Sequence, residues 1–139
     1  MEKLRTAVIG YGGMGGYHAK RLSAMENYEL AGIYDTDPER NKVAAENGIK
    51  VYSSPDEIVA DNVKAVIIAV PNDAHAEYSV FFASRGIGVL CEKPVMMSSK
   101  ELEKVVKAIN GKGVFTVHQN RRFDEDYLIV KKIIENDTL

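Results

Sequence analysis

One cysteine, Cys91, stands among the 139 residues. No disulfide can form within the chain, and the expected compartment is the reducing cytoplasm. Long apolar runs are missing as well. The longest, Ala65–Val70, is far too short to cross a bilayer. The opening MEKLRTAVIG has neither the apolar stretch nor the small-residue cleavage site of a secretory signal. Charge of one sign is scarce too: 18 basic and 20 acidic residues leave a net charge of -2. That balance gives no grip on nucleic acid or on a membrane surface, so neither is an expected partner. No repeat, low-complexity tract or proline-rich linker divides the chain, which predicts one compact domain. Several reaction classes lose their motifs. There is no G-x-x-x-x-G-K-[ST] for a P-loop, no C-x-x-C or H-E-x-x-H and no clustered histidine pair for a metal, and no G-x-S-x-G nucleophile elbow. No metal site is expected.

What is present alternates. Leu4–Ile9 is short, apolar and rich in β-formers, and ends at glycine, so it predicts a buried strand. From Gly13, residues Met14, His18 and Leu22 recur four apart on one helical face that fades near Glu26. Glu29–Asp35 predicts a second strand. Asp37 as N-cap, Pro38 in the first turn and Gly48 at the stop bound a helix. IKVYSS predicts a short third strand, and Pro55–Ala60 a small helix. Lys64–Val70 is apolar from Ala65 onward, as in a parallel sheet covered on both faces. Ala74, Tyr78, Phe81, Phe82 and Arg85 keep helical spacing up to Gly86, with the phenylalanine pair assigned to core. IGVLCE follows as strand five, then a Ser98/Glu101 capping box opens a helix closed by Gly111. GVFTVHQ is strand six, and Tyr127, Val130, Ile133 and Ile134 form a last helical stripe. This grammar predicts an α/β fold: a doubly wound parallel sheet of Rossmann type in three α/β/α layers. Ligands on such sheets bind outside the carboxyl ends of the strands, here Gly10, Asp35, Val70–Asn72, Cys91–Pro94 and His118–Arg122.

The first of those ends carries G-x-G-x-x-G at Gly10, Gly12 and Gly15, between a predicted strand and a predicted helix. Gly10 permits the tight turn, Gly12 lets a pyrophosphate approach the backbone, and Gly15 lets the helix pack close to the sheet. Gly13 and Gly16 are not required by the spacing. The helix N-terminus offers unpaired N–H groups and partial positive charge to phosphates. Twenty residues after Gly15 comes Asp35, at the end of strand two, where a carboxylate bonds the ribose diol of NAD and repels the 2′-phosphate of NADP. Asp37 is taken up as a helix cap, which leaves Asp35 for the ribose. Arg40, a helical turn away, keeps NADP open as a second cofactor. NAD is the expected one.

A more specific signal lies further on. EKP at Glu92–Pro94, on the end of strand five, resembles the Gfo/Idh/MocA oxidoreductases. GYGGMGGYHAKRL resembles that family's G-x-G-x-x-G-x-x-H-x-x-x-L opening, VPNDAH its P-N-x-x-H, and VHQNRRFD the segment after strand six. The resemblance covers essentially the whole chain. It implies hydride transfer between a nicotinamide and a hydroxyl-bearing carbon of a sugar, cyclitol or similar small molecule. It implies Lys93 as the residue that binds substrate and moves the hydroxyl proton, a role open to a lysine whose charged form is disfavoured by burial. A cis bond before Pro94 would aim that lysine inward. The implied cofactor contacts are Gly10, Tyr11, Gly12, Gly13, Met14, Gly15, Asp35, Thr36, Val70, Pro71, Asn72, His75, Glu92, Lys93 and Gln119. Lys93, Asn120 and Arg122 are the implied substrate contacts. Residues 1–122 would form the dinucleotide-binding domain. Residues 123–139 would form a crossover helix toward a C-terminal substrate domain absent from this chain, and homo-oligomers are expected only in the full-length protein. The family's D-x-x-x-H pair is not found before any of the three histidines, so the chain alone is expected to be inactive.

Of those histidines, His18 lies on the packed helix face and is expected to be a satisfied core residue; His118 is expected to be structural. His75 is divided between a cofactor-side role and helix-end packing. Two other functions stay open. One is a non-catalytic dinucleotide-binding sensor or scaffold, which the intact EKP motif disfavours. The other is a different ligand, FAD or S-adenosylmethionine, which a glycine loop alone does not exclude.

Overall fold

The computed structural model describes residues 2–137. In chain order the elements are β1 (Leu4–Ile9), α1 (Gly13–Ala24), β2 (Tyr28–Tyr34), α2 (Pro38–Glu46), α3 (Pro55–Ala60), β3 (Ala65–Ile68), α4 (His75–Ala83), β4 (Gly88–Cys91), α5 (Ser99–Ile109), β5 (Phe115–Val117) and α6 (Glu125–Glu135). Short 3-10 turns cover Asn72–Ala74 and Asn120–Phe123. The strands form one parallel sheet in the order β2-β1-β3-β4-β5. The chain runs outward from β1 to β2 and then returns to β3 on the other side of β1. The order therefore reverses between β1 and β3, and their carboxyl ends flank the crevice.

Successive strand residues face opposite layers. Val8, Ile33 and Ile67 meet Ala19 and Leu22 of α1 and Ala44 of α2. Ala7, Ile9, Val66, Ile68 and Cys91 meet Ile58 of α3 and Phe82 of α4, with Ala108 and Ile109 of α5 packed against them. Both layers predicted on the faces of the sheet are thus present, and Phe82 is core.

The predicted strand IKVYSS is not one. It makes a single parallel bridge, Ile33 to Val51, with Ile33 N–H donating to the Lys50 carbonyl at 2.8 Å and Tyr52 N–H to the Ile33 carbonyl at 2.8 Å. The turn at Gly48 and the next helix leave it no room, since Ser54 is already the N-cap of α3 and accepts from Glu57 N–H at 3.3 Å. Strands five and six also shrink, to β4 and β5. The caps hold: the Asp37 side chain accepts from Glu39 N–H, and Ser98 from Glu101 N–H. Glu101, however, returns its bond to Met97 N–H rather than to the cap residue. The stripe of α6 forms, but no residue of that helix is buried.

Away from the crevice, Asp61 ties the bottom of the sheet together. Its Oδ2 accepts from Tyr52 Oη at 2.5 Å, Lys50 Nζ at 2.9 Å and Arg5 Nη2 at 3.0 Å. Arg5 also pairs with Glu29 across β1 and β2. The hydrogen bonds from Tyr52 and Lys50 hold the Asp61 carboxyl down at about 2, against 3.8 unperturbed. A carboxyl depressed by folding contributes stability that is complete above the unperturbed value and is lost as pH falls through the folded one. Asp61→Asn keeps an acceptor for Tyr52 but not the charge. Thermal melts should show the variant below wild type at pH 5–7, with the gap closing as pH falls toward about 2. A gap independent of pH would show that the charge of Asp61 contributes nothing.

Candidate functional site

The crevice begins where β1 turns into α1. Gly10 has φ +89°, and a Cβ built on it would stand 2.5 Å from the Ala69 carbonyl oxygen at the end of β3. A Cβ on Gly15 would stand 1.8 Å from the Gly10 carbonyl oxygen. These two positions exclude side chains, and together they set the first turn of α1 directly on the strand end. Gly13 and Gly16 have open space where a Cβ would go. The cap of α1 is Gly12, with no side-chain cap and no acidic residue in the first turn. The N–H groups at this helix end are therefore left for an anion.

A cavity of about 420 Å³ lies beside this turn, floored by Gly10 and Val70 and walled by Asp35, Thr36 and Arg40. Asp35 is buried, and it is not free as the sequence suggests. Its Oδ2 accepts from Tyr11 N–H at 2.6 Å and its Oδ1 from Asp37 N–H at 2.9 Å. The backbone of the glycine loop thus holds the carboxylate in place. Two oxygens have more acceptor capacity than these two bonds use, so a ribose hydroxyl can still be bound. Arg40 stands 3.4 Å from both Asp35 and Asp37. Its guanidinium also comes within 3.5 Å of where a Gly12 side chain would begin. It thus spans from the acidic pocket to the glycine loop.

A second cavity of about 320 Å³ continues past Arg40, Val70 and Pro71 to Met14, Asn72, His75 and Lys93. His75 forms its floor, 1 % exposed, with ring nitrogens 3.0 Å from the carbonyl oxygens of Pro94 and Val70. The Lys93–Pro94 peptide bond is cis, as the resemblance implies. Lys93 is exposed, and its ammonium makes no hydrogen bond or ion pair with the described residues. Glu92 is the opposite: buried, with Oε1 accepting from His18 Nε2 at 2.7 Å and His118 Nδ1 at 2.8 Å, and Oε2 from Lys93 N–H at 3.2 Å. Burial raises the Glu92 carboxyl, but the bonds from His18, His118 and Lys93 N–H outweigh it and hold the group below the ordinary carboxylate range.

Most of the expected site residues thus meet in one elongated cleft. Tyr11 contributes its backbone, while its side chain packs on the core beside α1. Gly15 lies beneath the loop. Gln119, Asn120 and Arg122 do not join the cleft. They line a separate cavity of about 570 Å³ with Thr116 and Phe123. Sequence reading found no clustered histidine pair, yet the fold makes one: His18 and His118, a hundred residues apart, stack edge to face with centroids 4.9 Å apart. With Glu92 they form a group of metal-ligand type whose atoms lie within 4.8 Å of one another. Tyr34 and Tyr78 were also missed as walls of the first cavity, where their rings lie 6.2 Å apart. Burial and Tyr34 push the Tyr78 hydroxyl up to about 12. The only signal for them was their nearness in sequence to Asp35 and His75.

A family model described as an oxidoreductase family with an NAD-binding Rossmann fold matches residues 4–120. An inositol 2-dehydrogenase of Arthrobacter sp. is 34% identical over 99% of this chain and 43% of its own length. An NAD-binding protein from Listeria innocua superposes with a TM-score of 0.92 at 42% identity, covering 99% of this chain and 41% of that one. A Bordetella pertussis dehydrogenase solved with NADH and UDP-GlcNAcA gives 0.88 at 29% identity, over 97% of this chain and 40% of that one. The chain spans about two-fifths of the length of the curated relatives it matches.

The glycine geometry makes a stability prediction that needs no ligand. Gly15→Ala forces a methyl into the Gly10 carbonyl and should destabilise by about 3 kcal/mol or more. Gly16→Ala meets open space inside a helix and should stabilise by about 0.5–1 kcal/mol. Equal denaturation midpoints for the two variants would refute the close packing.

Proposed function

The chain belongs to the Gfo/Idh/MocA oxidoreductase family and is an NAD-binding Rossmann domain of it, and from that premise we propose that it forms the cofactor-binding half of a dehydrogenase acting on a hydroxyl-bearing carbon of a sugar, cyclitol or similar small molecule. The observation that carries the reading is one cleft in which a fixed carboxylate, an uncapped helix end and a free lysine follow one another in that order. The N–H groups of Gly13 and Met14 would bind the cofactor's phosphates. Asp35, held by Tyr11 and Asp37 N–H, would accept from the ribose hydroxyls. Met14, Asn72 and His75 would flank the nicotinamide end, beside Lys93.

Bound NAD supplies a hydride acceptor, or in its reduced form a donor. The chain's own part in the reaction is Lys93. Its exposed ammonium, without a partner among the described residues, is open to a substrate hydroxyl and can exchange a proton with it. Residues 1–122 carry the cofactor in this reading, and 123–139 lead toward the substrate-binding part of the enzyme. Gln119, Asn120 and Arg122, in their own cavity, would face that part rather than the dinucleotide. Two of the relatives named above, an inositol 2-dehydrogenase and a dehydrogenase solved with UDP-GlcNAcA, support the substrate class. Turnover by this chain alone is expected to be negligible, since it holds no D-x-x-x-H pair.

Arg40 and Asp35 decide between NAD and NADP. Titration calorimetry should show NAD binding more tightly than NADP, with Asp35→Asn reducing the preference by about tenfold, the worth of one bond to a charged group. Arg40→Ala should weaken NADP more than NAD. Failure of both dinucleotides to bind at millimolar concentration would defeat the proposal.

A further inference from the structure

A buried carboxylate needs donors, and those of Glu92 come from three places. His18 lies on α1, whose N-terminus is the phosphate cradle; His118 directly follows β5; the third donor is the N–H of Lys93 itself. Glu92 therefore sits where the glycine-loop helix, the Lys93 turn and the 119–122 segment cross. Because an ionised carboxylate only accepts, His18 carries its proton on Nε2 and His118 on Nδ1. The other side of the turn is held too, by the His75 ring against the Pro94 carbonyl. Residues 92 and 94 are pinned by histidines, and the residue between them is left free at its side chain.

The same three atoms are of metal-ligand type, but the contacts speak for hydrogen bonds. Separations of 2.7 and 2.8 Å from one carboxylate oxygen are N–H···O distances. A metal-bound histidine usually donates its second ring nitrogen to an acceptor, and no described residue is recorded as accepting from His18 Nδ1 or His118 Nε2.

We propose that His18, Glu92 and His118 are positioning residues for Lys93: the two imidazoles fix the Glu92 carboxylate, and the carboxylate fixes the backbone that aims the lysine at the nicotinamide end of the cleft. This rests on the reading of that cavity as the cofactor's. The physical reason is that a lysine on an unbraced turn would sample many poses, and misplacement by about 1 Å at a reacting centre costs about a hundredfold.

The test measures Lys93 itself, on the chain as it stands. Amine labelling followed by peptide mass spectrometry gives the modification rate of Lys93 with and without saturating NAD, and calorimetry gives NAD affinity. In wild type, NAD should slow labelling of Lys93. In His118→Leu, the protection should fall by about tenfold, while NAD affinity, set by the glycine loop and Asp35, changes far less. His118→Asn places an amide N–H near the lost Nδ1 and should restore protection. His18→Leu and His18→Gln should behave as the matching pair, the glutamine standing in for Nε2. A fold defect alone would instead lower affinity and protection in parallel. Wild-type protection that persists in both leucine variants would overturn the positioning role and leave the cofactor site intact. If NAD leaves wild-type Lys93 unprotected, the assignment of the cavity falls and this proposal falls with it. Stoichiometric zinc binding to wild type that His118→Leu abolishes would also overturn it, because the three groups would then be ligands.

Discussion

The site depends on one close approach. The Gly10 carbonyl lies so near the first turn of α1, and the Gly10 α-carbon so near the end of β3, that neither Gly10 nor Gly15 has room for a methyl group. This contact brings the end of α1 to the crevice between β1 and β3, where the strand order reverses. It turns a helix dipole, which fades within a turn, into a field at the place where a phosphate can be held. The loop that makes the approach also presents Tyr11 N–H to Asp35. The same few residues thus orient the anion-binding end and immobilise the carboxylate beside it.

The other end of the cleft is arranged by a buried charge. Glu92 loses its water and is compensated by two imidazole N–H donors and one backbone N–H. An arrangement of this kind is a weak source of net stability, because desolvation consumes most of what the bonds return. Its effect is geometric. Removing one donor leaves a charged acceptor undersatisfied in the interior, so the three segments that supply the donors are held in a single relative position.

Local rules made the architecture legible. Capping residues located α2 and α5 closely, and the all-apolar run around Ala65–Ile68 marked a central strand. The segment at Ile49–Ser54 failed because β-rich composition says nothing about the length a turn and a cap leave available. At the site, Gly10, Gly12 and Asp35 could be placed because their work is local and their spacing is set by one βαβ unit. The His18–Glu92–His118 group could not, since its members lie on three elements and meet only through the strand order. The histidine on the packed face of α1 is buried as its spacing indicates, yet its partner is 74 residues away. Asp35 was legible in position but not in bonding: periodicity does not reveal that a backbone N–H from the glycine loop already occupies one of its oxygens.

The acidic end of the cleft sets a fixed group against a loosely held one. Asp35 is buried and bonded to two backbone N–H groups, so it cannot withdraw from an approaching 2′-phosphate. Arg40 is half-exposed and joined to Asp35 and Asp37 only at 3.4 Å, a pairing that solvent makes nearly free to break. Its long side chain can leave the carboxylates for a phosphate at little cost, whereas the carboxylate's repulsion persists in every arrangement of the arginine. The repulsive element is the rigid one, and discrimination between like ligands rests on such elements more than on attractive contacts. In the proposed cofactor site, a preference for a ribose diol over its phosphate ester would therefore come from Asp35, with Arg40 setting how far that preference is softened.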